Sequence, residues 1–402
     1  MKIAVMMRAM DQDTGFGFWI DVLLRKMFRM GAENSYLLLF KERKHFGRYS
    51  EFENVKEVLL SSNHKLIWDQ LLVPLTAWRE AADIIYNPKF SVPIISHCPV
   101  AMGLQEPAWW AIPEHHTRLD VFYMRTMLPL YCRKSSHLFP GSEFILAENR
   151  KYLRLPLQNA TVTYTAPDTG FEQSYDAQAL QNFRGRHGLP EKFILNVTRV
   201  ENLGNKSATF SGTKNVETTL RAFCKIRGQI PHKLVIVGRR VKEYLKHVGW
   251  KESDFQNIQF TGFIPHDEVP KLYLSADLFV LPSFYEGCPN TMIEAMTCGC
   301  PVVASKTGPC LEIGGRAAIL ADPYDPSDFA TKMLDVLTNE KLKTELRRKS
   351  LQRAESFNWE RTARLTLDGL RKAVTQRTYT RLISTSLFGA LIEFSCENFL
   401  HL

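Results

Sequence analysis

The stretch Leu278-Phe279-Val280-Leu281-Pro282-Ser283-Phe284-Tyr285-Glu286-Gly287-Cys288-Pro289-Asn290-Thr291-Met292-Ile293-Glu294-Ala295-Met296 decides the architecture. Its first four residues are all apolar, as in a strand buried on both faces. Pro282 and Ser283 end that strand, and a tight loop follows. Asn290 then stands where it can cap a helix to about Thr297, with Gly299 as the stop. In a doubly wound sheet such a helix start aims unpaired N–H groups at the carboxyl edge, where ligands bind. Glu286 lies in the loop and Glu294 about one turn into the helix, so both carboxylates can face one crevice. Glu294 could equally serve the positive end of the helix dipole.

Outward from this unit, short apolar runs alternate with amphipathic stretches along the whole chain, the pattern of parallel sheets covered by helices. The first half offers strands at Ile3–Met7, Tyr36–Phe40, Val55–Leu60, Ile84–Tyr86, Val100–Leu104, His137–Pro140 and Val162–Tyr164. The second half restarts at Phe193–Val197, Lys233–Val237, Ile258–Phe260, Leu278–Leu281, Pro301–Ala304 and Ala318–Leu320. Two sets of this kind predict an α/β protein of two Rossmann-like domains, as does the length of 402 residues. The division expected is residues 1–172, then 173–357, with the boundary in the polar stretch Pro167–Pro190. A helix over 358–375, capped by Asn358, is expected to pack back on the first domain. The apolar tail 376–402 has no readable partner.

The composition, 45% hydrophobic and 23% charged, is that of a soluble globular protein, and no apolar run is long enough to span a bilayer. Met1-Lys2-Ile3-Ala4-Val5 enters a strand pattern at once, so no signal peptide is expected and the cytosol is the expected compartment. The net charge of +9 favours an anionic partner. Many cations fall between Lys341 and Arg381, either on a solvated helix face or in peripheral contact with an anionic membrane. No nucleic-acid module accompanies them. The eight cysteines suggest no disulfide scaffold, and Cys298-Gly299-Cys300 reads as core packing, not as half of a zinc site.

Glu286 and Glu294, with seven residues between them, and the text from Leu281 to Ser305 resemble the E-x7-E signature of the family-4 retaining glycosyltransferases. The resemblance runs over most of Phe193–Ala373. It takes in Asn196-Val197-Thr198-Arg199, Lys214-Asn215-Val216, Val235-Ile236-Val237-Gly238, Phe260-Thr261-Gly262-Phe263, Asp322-Pro323-Tyr324-Asp325-Pro326 and Phe357-Asn358-Trp359. It implies the GT-B fold, two parallel-sheet domains facing across a cleft. It also implies transfer of a sugar from a nucleotide-diphosphate donor to a saccharide or lipid-linked acceptor, without a metal or other cofactor. By the same resemblance Arg199 and Lys214 meet the diphosphate, Glu286 the transferred sugar and Glu294 the ribose. Gly287, Cys288, Pro289, Asn290 and Thr291 line the sugar and phosphates, with Gly238 near them and Phe263 and Ile264 beside the base. Basic residues are what a leaving diphosphate needs when no metal is present. Val200–Thr213, between the two cations, reads as an inserted flexible loop.

The first half matches less well. Gly15 and Gly17, after the first strand, resemble the family's glycine loop, where missing side chains let a ligand approach the backbone. Asp11-Gln12-Asp13 has the form of a metal-binding DxD, but its position argues against a metal. Relatives end the fifth strand with a histidine that reaches the sugar; the register set by Trp109 and Pro113 puts Gln105 there. His97 precedes the strand, and His115 and His116 read as surface residues. Glutamine can hydrogen-bond a hydroxyl but cannot titrate, so no acid–base group is expected at that strand end. Two other readings share the fold: a nucleotide-sugar epimerase or hydrolase, and a weakly catalytic sugar-nucleotide-binding subunit.

Overall fold

In the computed structural model, residues 1–11, 15–172, 174–198, 200 and 213–376 are described. Arg199, Gln12 to Thr14, the segment 201–212 and the tail from 377 lie outside them. Strands β1 (Lys2–Met6), β2 (Ser35–Phe40), β3 (Val55–Leu59), β4 (Ile84–Asn87), β5 (Val100–Leu104) and β6 (His137–Pro140) form one sheet in the order β3-β2-β1-β4-β5-β6. Strands β7 (Phe193–Val197), β8 (Lys233–Val237), β9 (Ile258–Gly262), β10 (Leu278–Leu281), β11 (Val302–Ser305) and β12 (Ile319–Ala321) form a second, in the order β12-β11-β10-β7-β8-β9. The strand pairs are all parallel. Helices on both faces explain why the strand sequences are near-continuously apolar.

The strand order reverses between β1 and β4 in the first sheet and between β7 and β10 in the second. Loops leaving the carboxyl ends of these four strands open a crevice. Glu286 and Gly287 follow β10, Thr198 follows β7, and Lys89 follows β4, so topology alone carries these residues to the crevice.

Two expectations need correction, and one stretch left unassigned contains an element. Val162–Tyr164 is not a strand. It runs along the edge of β6, with Thr161 and Thr163 N–H donating to the carbonyls of Leu138 and Pro140, but makes only one bridge, at Ala160. The chain then leaves the sheet, and Tyr164 instead donates its hydroxyl to Glu312 beyond the second sheet, 2.6 Å away. The polar stretch 167–190 contains a helix, Ala177–Arg186, started by the Asp176 carboxylate on the Ala179 N–H at 2.7 Å. Asn290 is the first residue of its helix, not the cap; Pro289 holds the cap position.

The helix over 359–376 begins as expected, with Asn358 Oδ1 accepting the Arg361 N–H at 2.8 Å. Trp359, Ala363, Leu367, Leu370 and Ala373, spaced three or four apart, bury one stripe. They pack in a single core with Ile3 of β1, Ile84 of β4, and Ile20 and Leu24 of the helix Gly15–Met30. The last described helix thus completes the core of the first sheet.

Candidate active site

Lys214 is set by its neighbours. Thr213 gives its carbonyl to the Phe284 N–H at 2.8 Å, and Asn215 donates its amide to the carbonyls of Pro282 and Pro323 at 2.9 Å each. The loop after β10 and the start of the helix Val216–Ile226 are thereby tied together. Lys214 Nζ reaches Glu286 Oε1 at 2.6 Å, and the Ser283 hydroxyl donates to the same oxygen at 2.7 Å. The cation expected on the phosphates and the carboxylate expected on the sugar are therefore in direct contact. Both are mostly buried.

Opposite them stands Glu106, just past β5. Its carboxylate occupies the space a Cβ on Gly287 would need, so any side chain there would have to push Glu106 aside. Burial raises the Glu106 pKa, and the Glu286 carboxylate raises it further; Lys214 and Lys89 pull the other way. Gln105 enters this part of the fold through its backbone, its carbonyl accepting the Asn149 amide at 2.9 Å. Glu106, one residue beyond the expected Gln105, meets the loop after β10 at Gly287. His97 lies at the opposite edge, its Nε2 3.0 Å from the Ala82 carbonyl ahead of β4.

Glu294 projects from the helix Asn290–Thr297 and accepts the Tyr273 hydroxyl at 3.2 Å. Burial raises its pKa to about 7, only partly offset by Tyr273 and Lys214. Pro289 turns its carbonyl onto the N–H groups of Met292 and Ile293. Asn290 is exposed, while Cys288 packs on the second core and burial pushes its thiol pKa up. Among the described residues nothing hydrogen-bonds the buried hydroxyls of Thr291 and Thr198. Thr198 directly follows β7, and Thr291 is the second residue of the helix Asn290–Thr297.

Gly238, after β8, has φ +151°, and a side chain there would strike the Thr198 carbonyl. Beyond β9, Ile264 is buried whereas Phe263 is exposed, its ring capped by the Arg239 guanidinium at 4.4 Å. On the first-sheet side, Gly15 opens the helix Gly15–Met30 and Gly17 lies in its first turn; nothing is described of Asp13. His116 stacks on Trp109 with ring centroids 5.4 Å apart.

Sequence reading missed a basic group beside Glu106. Arg8 pairs with the buried Asp69 at 3.2 Å. Lys89 is held down to about 8, by burial first and then by Arg8 and Lys65, while Glu106 acts against them. The signal was weak because Arg8, Lys65 and Lys89 come from three separate segments, which only the order β3-β2-β1-β4-β5 brings to one edge.

Residues 195–353 match the family described as glycosyl transferases group 1. The second-sheet half of the chain therefore carries the group 1 glycosyl transferase match. The chain is 23% identical over 382 residues to the O-antigen chain mannosyltransferase B of Escherichia coli, covering 88% of the present chain and 95% of that one. It is 26% identical over 275 residues to the serotype-specific mannosyltransferase WbdA of Escherichia coli, covering 66% of the present chain but only 31% of that longer protein. The crystal structure of Anabaena Alr3699/HepE in complex with UDP and glucose superposes with a TM-score of 0.69 at 18% identity, over 92% of this chain and 99% of that one. At that identity the likeness speaks for the fold, which is GT-B.

Proposed function

We propose that this protein is a group 1 glycosyltransferase that moves a sugar from a nucleotide-diphosphate donor to a hydroxyl of a glycan or lipid-linked acceptor. We further propose that it retains the anomeric configuration and needs no metal. The observation that carries this reading is the contact of Lys214 with Glu286 beside a glycine that Glu106 overhangs from the other sheet. A sugar ring seated on Gly287 would lie between two carboxylates, with Lys214 able to turn to the departing diphosphate. The N-terminus of the helix at Asn290, the Thr291 hydroxyl and Arg199 would add donors for that charge. Glu294 would take the ribose hydroxyls, and the Phe263 ring with Arg239 would offer a platform for the base. Arg8, Lys65 and Lys89 favour an acceptor with negative charge near the attacking hydroxyl. Retention would follow from attack on the face the diphosphate leaves, the phosphate taking the hydroxyl proton.

The names of the relatives make a nucleoside-diphosphate mannose the first donor to test. A thermal-shift panel of nucleotide sugars identifies the donor, because a ligand that binds only the folded state raises its stability. Transfer should then proceed equally with and without EDTA, and the product anomer should match the donor. Activity lost to EDTA and restored by manganese would overturn the metal-free part; an inverted anomer would overturn retention. Donor consumed at full rate without acceptor would instead mark a hydrolase or epimerase.

A further inference from the structure

Among the described cations from Lys341 onward, an expected place for membrane contact, four are engaged within the protein. Lys343 pairs with Asp277, Lys349 with Glu345 and Arg371 with Glu33, while Arg353 donates to the carbonyls of Glu312 and Ile313. A different face is unpartnered. The helical run from Lys65 to Arg79 buries Trp68, Asp69, Val73 and Ala77 and leaves Leu66, Ile67, Leu71, Leu75 and Trp78 outward. Gln70 donates to the Val92 carbonyl and accepts the Ile94 N–H, which fixes Ile94 and Ile95 alongside. The helix Arg118–Lys134 packs on the same core through Met124, Leu128 and Tyr131, with Lys65 lying over its Tyr123 ring at 5.1 Å. It too sends apolar side chains outward, Leu119, Phe122 and Leu130. Ile95 is 83% exposed, Leu119 80%, Phe122 72% and Trp78 62%, so most of each of these side chains is in solvent.

The same two helices carry the exposed cations Arg79, Arg118, Arg125, Arg133 and Lys134, against the exposed acids Glu114 and Asp120. A protein interface core excludes such cations. An anionic bilayer instead takes Trp, Phe and Leu at the acyl boundary and Lys and Arg at the headgroups. We propose that this face of the first-sheet domain docks on an anionic lipid membrane. Helices 65–79 and 118–134 both begin at the carboxyl edge of the sheet, so the docked face borders the mouth of the crevice. The assignment is independent of which sugar is transferred.

Sedimentation of the full chain with vesicles tests it. The protein should bind phosphatidylcholine vesicles that contain phosphatidylglycerol and leave pure phosphatidylcholine vesicles largely alone. Phe122→Ser with Leu119→Ser should reduce binding roughly tenfold or more, since each side chain would lose its apolar burial. Arg118→Gln with Arg133→Gln should weaken it and flatten its salt dependence. Leu351→Ser, on the late cationic helix, should leave it unchanged. All these sites are exposed, and unchanged melting would verify each fold. No binding to the anionic vesicles, or binding that survives both double variants, would overturn the proposal. So would a dimer in light scattering that the Phe122→Ser and Leu119→Ser changes dissolve, because the face would then be a self-association surface.

Discussion

At the scale of single residues, Lys214 has two roles that a substitution separates. Lys214→Ala should slow transfer about 10- to 150-fold if a charge-assisted phosphate contact of roughly 1.5–3 kcal/mol is lost at the transition state. It should also lower the melting temperature, because Glu286 is then left mostly buried, without its cation and near Glu106. Adding Glu286→Gln should restore melting without restoring the rate; a double variant as unstable as the single would remove this account of the pair. Glu106 differs from the Gln105 expected in its place because it titrates. Glu106→Ala should cost at least tenfold in kcat/KM, and Glu106→Gln should flatten one limb of the pH–rate profile. A Glu106→Gln profile identical to the parent's would sink the assignment. Glu294 makes a third case. Its folded pKa, about 7, lies above the ordinary 4.5, so the folded state holds its proton more tightly. The stability it contributes is complete below about pH 4.5 and is lost as pH rises through 7. Glu294→Gln should remove that part of the decline, read as melting temperature against pH without donor; an unchanged slope would show that the carboxyl is not buried as described.

At the scale of elements, the helix Glu143–Leu153 is notable for what satisfies its first turn. Ser142 caps the Ile145 N–H and gives its own hydroxyl proton to the Gly287 carbonyl at 2.9 Å. The N–H groups of Glu143 and Phe144 go to the two oxygens of Glu312, each at 2.8 Å, across from the other domain. Orphan donors of one domain are thus met by a carboxylate of the other, which binds them in the crevice-closed arrangement. Glu312→Ala should leave these donors and the Tyr164 hydroxyl unmet, open the crevice and raise the radius of gyration of the donor-free protein in X-ray scattering. A radius equal to the parent's would mean that other contacts hold the domains together. Elements also mark how far the sequence could be read. Strands buried on both faces, such as β10, announce themselves by unbroken apolar runs. The helix Ala177–Arg186 was hidden because it buries only Phe183, giving no apolar period to detect. The strand end at Glu106 was legible to within one residue. Position along a strand is easy to read, but which side chain turns into a crevice depends on the first turn beyond it. Glu106 is turned there by the approach of Gly287, 181 positions on in the numbering.

At the scale of the whole molecule, the two sheets and their crevice followed from counting apolar runs, while the basic group of Arg8, Lys65 and Lys89 needed the strand order. The helix over 359–376 has a further consequence, one of time. Its Trp359, Ala363, Leu367, Leu370 and Ala373 fill a core whose other members, among them Ile3, Ile20 and Leu24, are made first. Translation delivers the chain amino end first at about 5–20 residues per second, so the first sheet waits roughly ten to forty seconds for its last layer. Throughout that interval the second sheet can finish folding, but the older one carries an open apolar trough. A ribosome stalled after Asn358 should hold a nascent chain that recruits a chaperone to the helix Gly15–Met30, and release of the remaining residues should discharge it. The part of this protein synthesised earliest is, on this topology, the part that matures last.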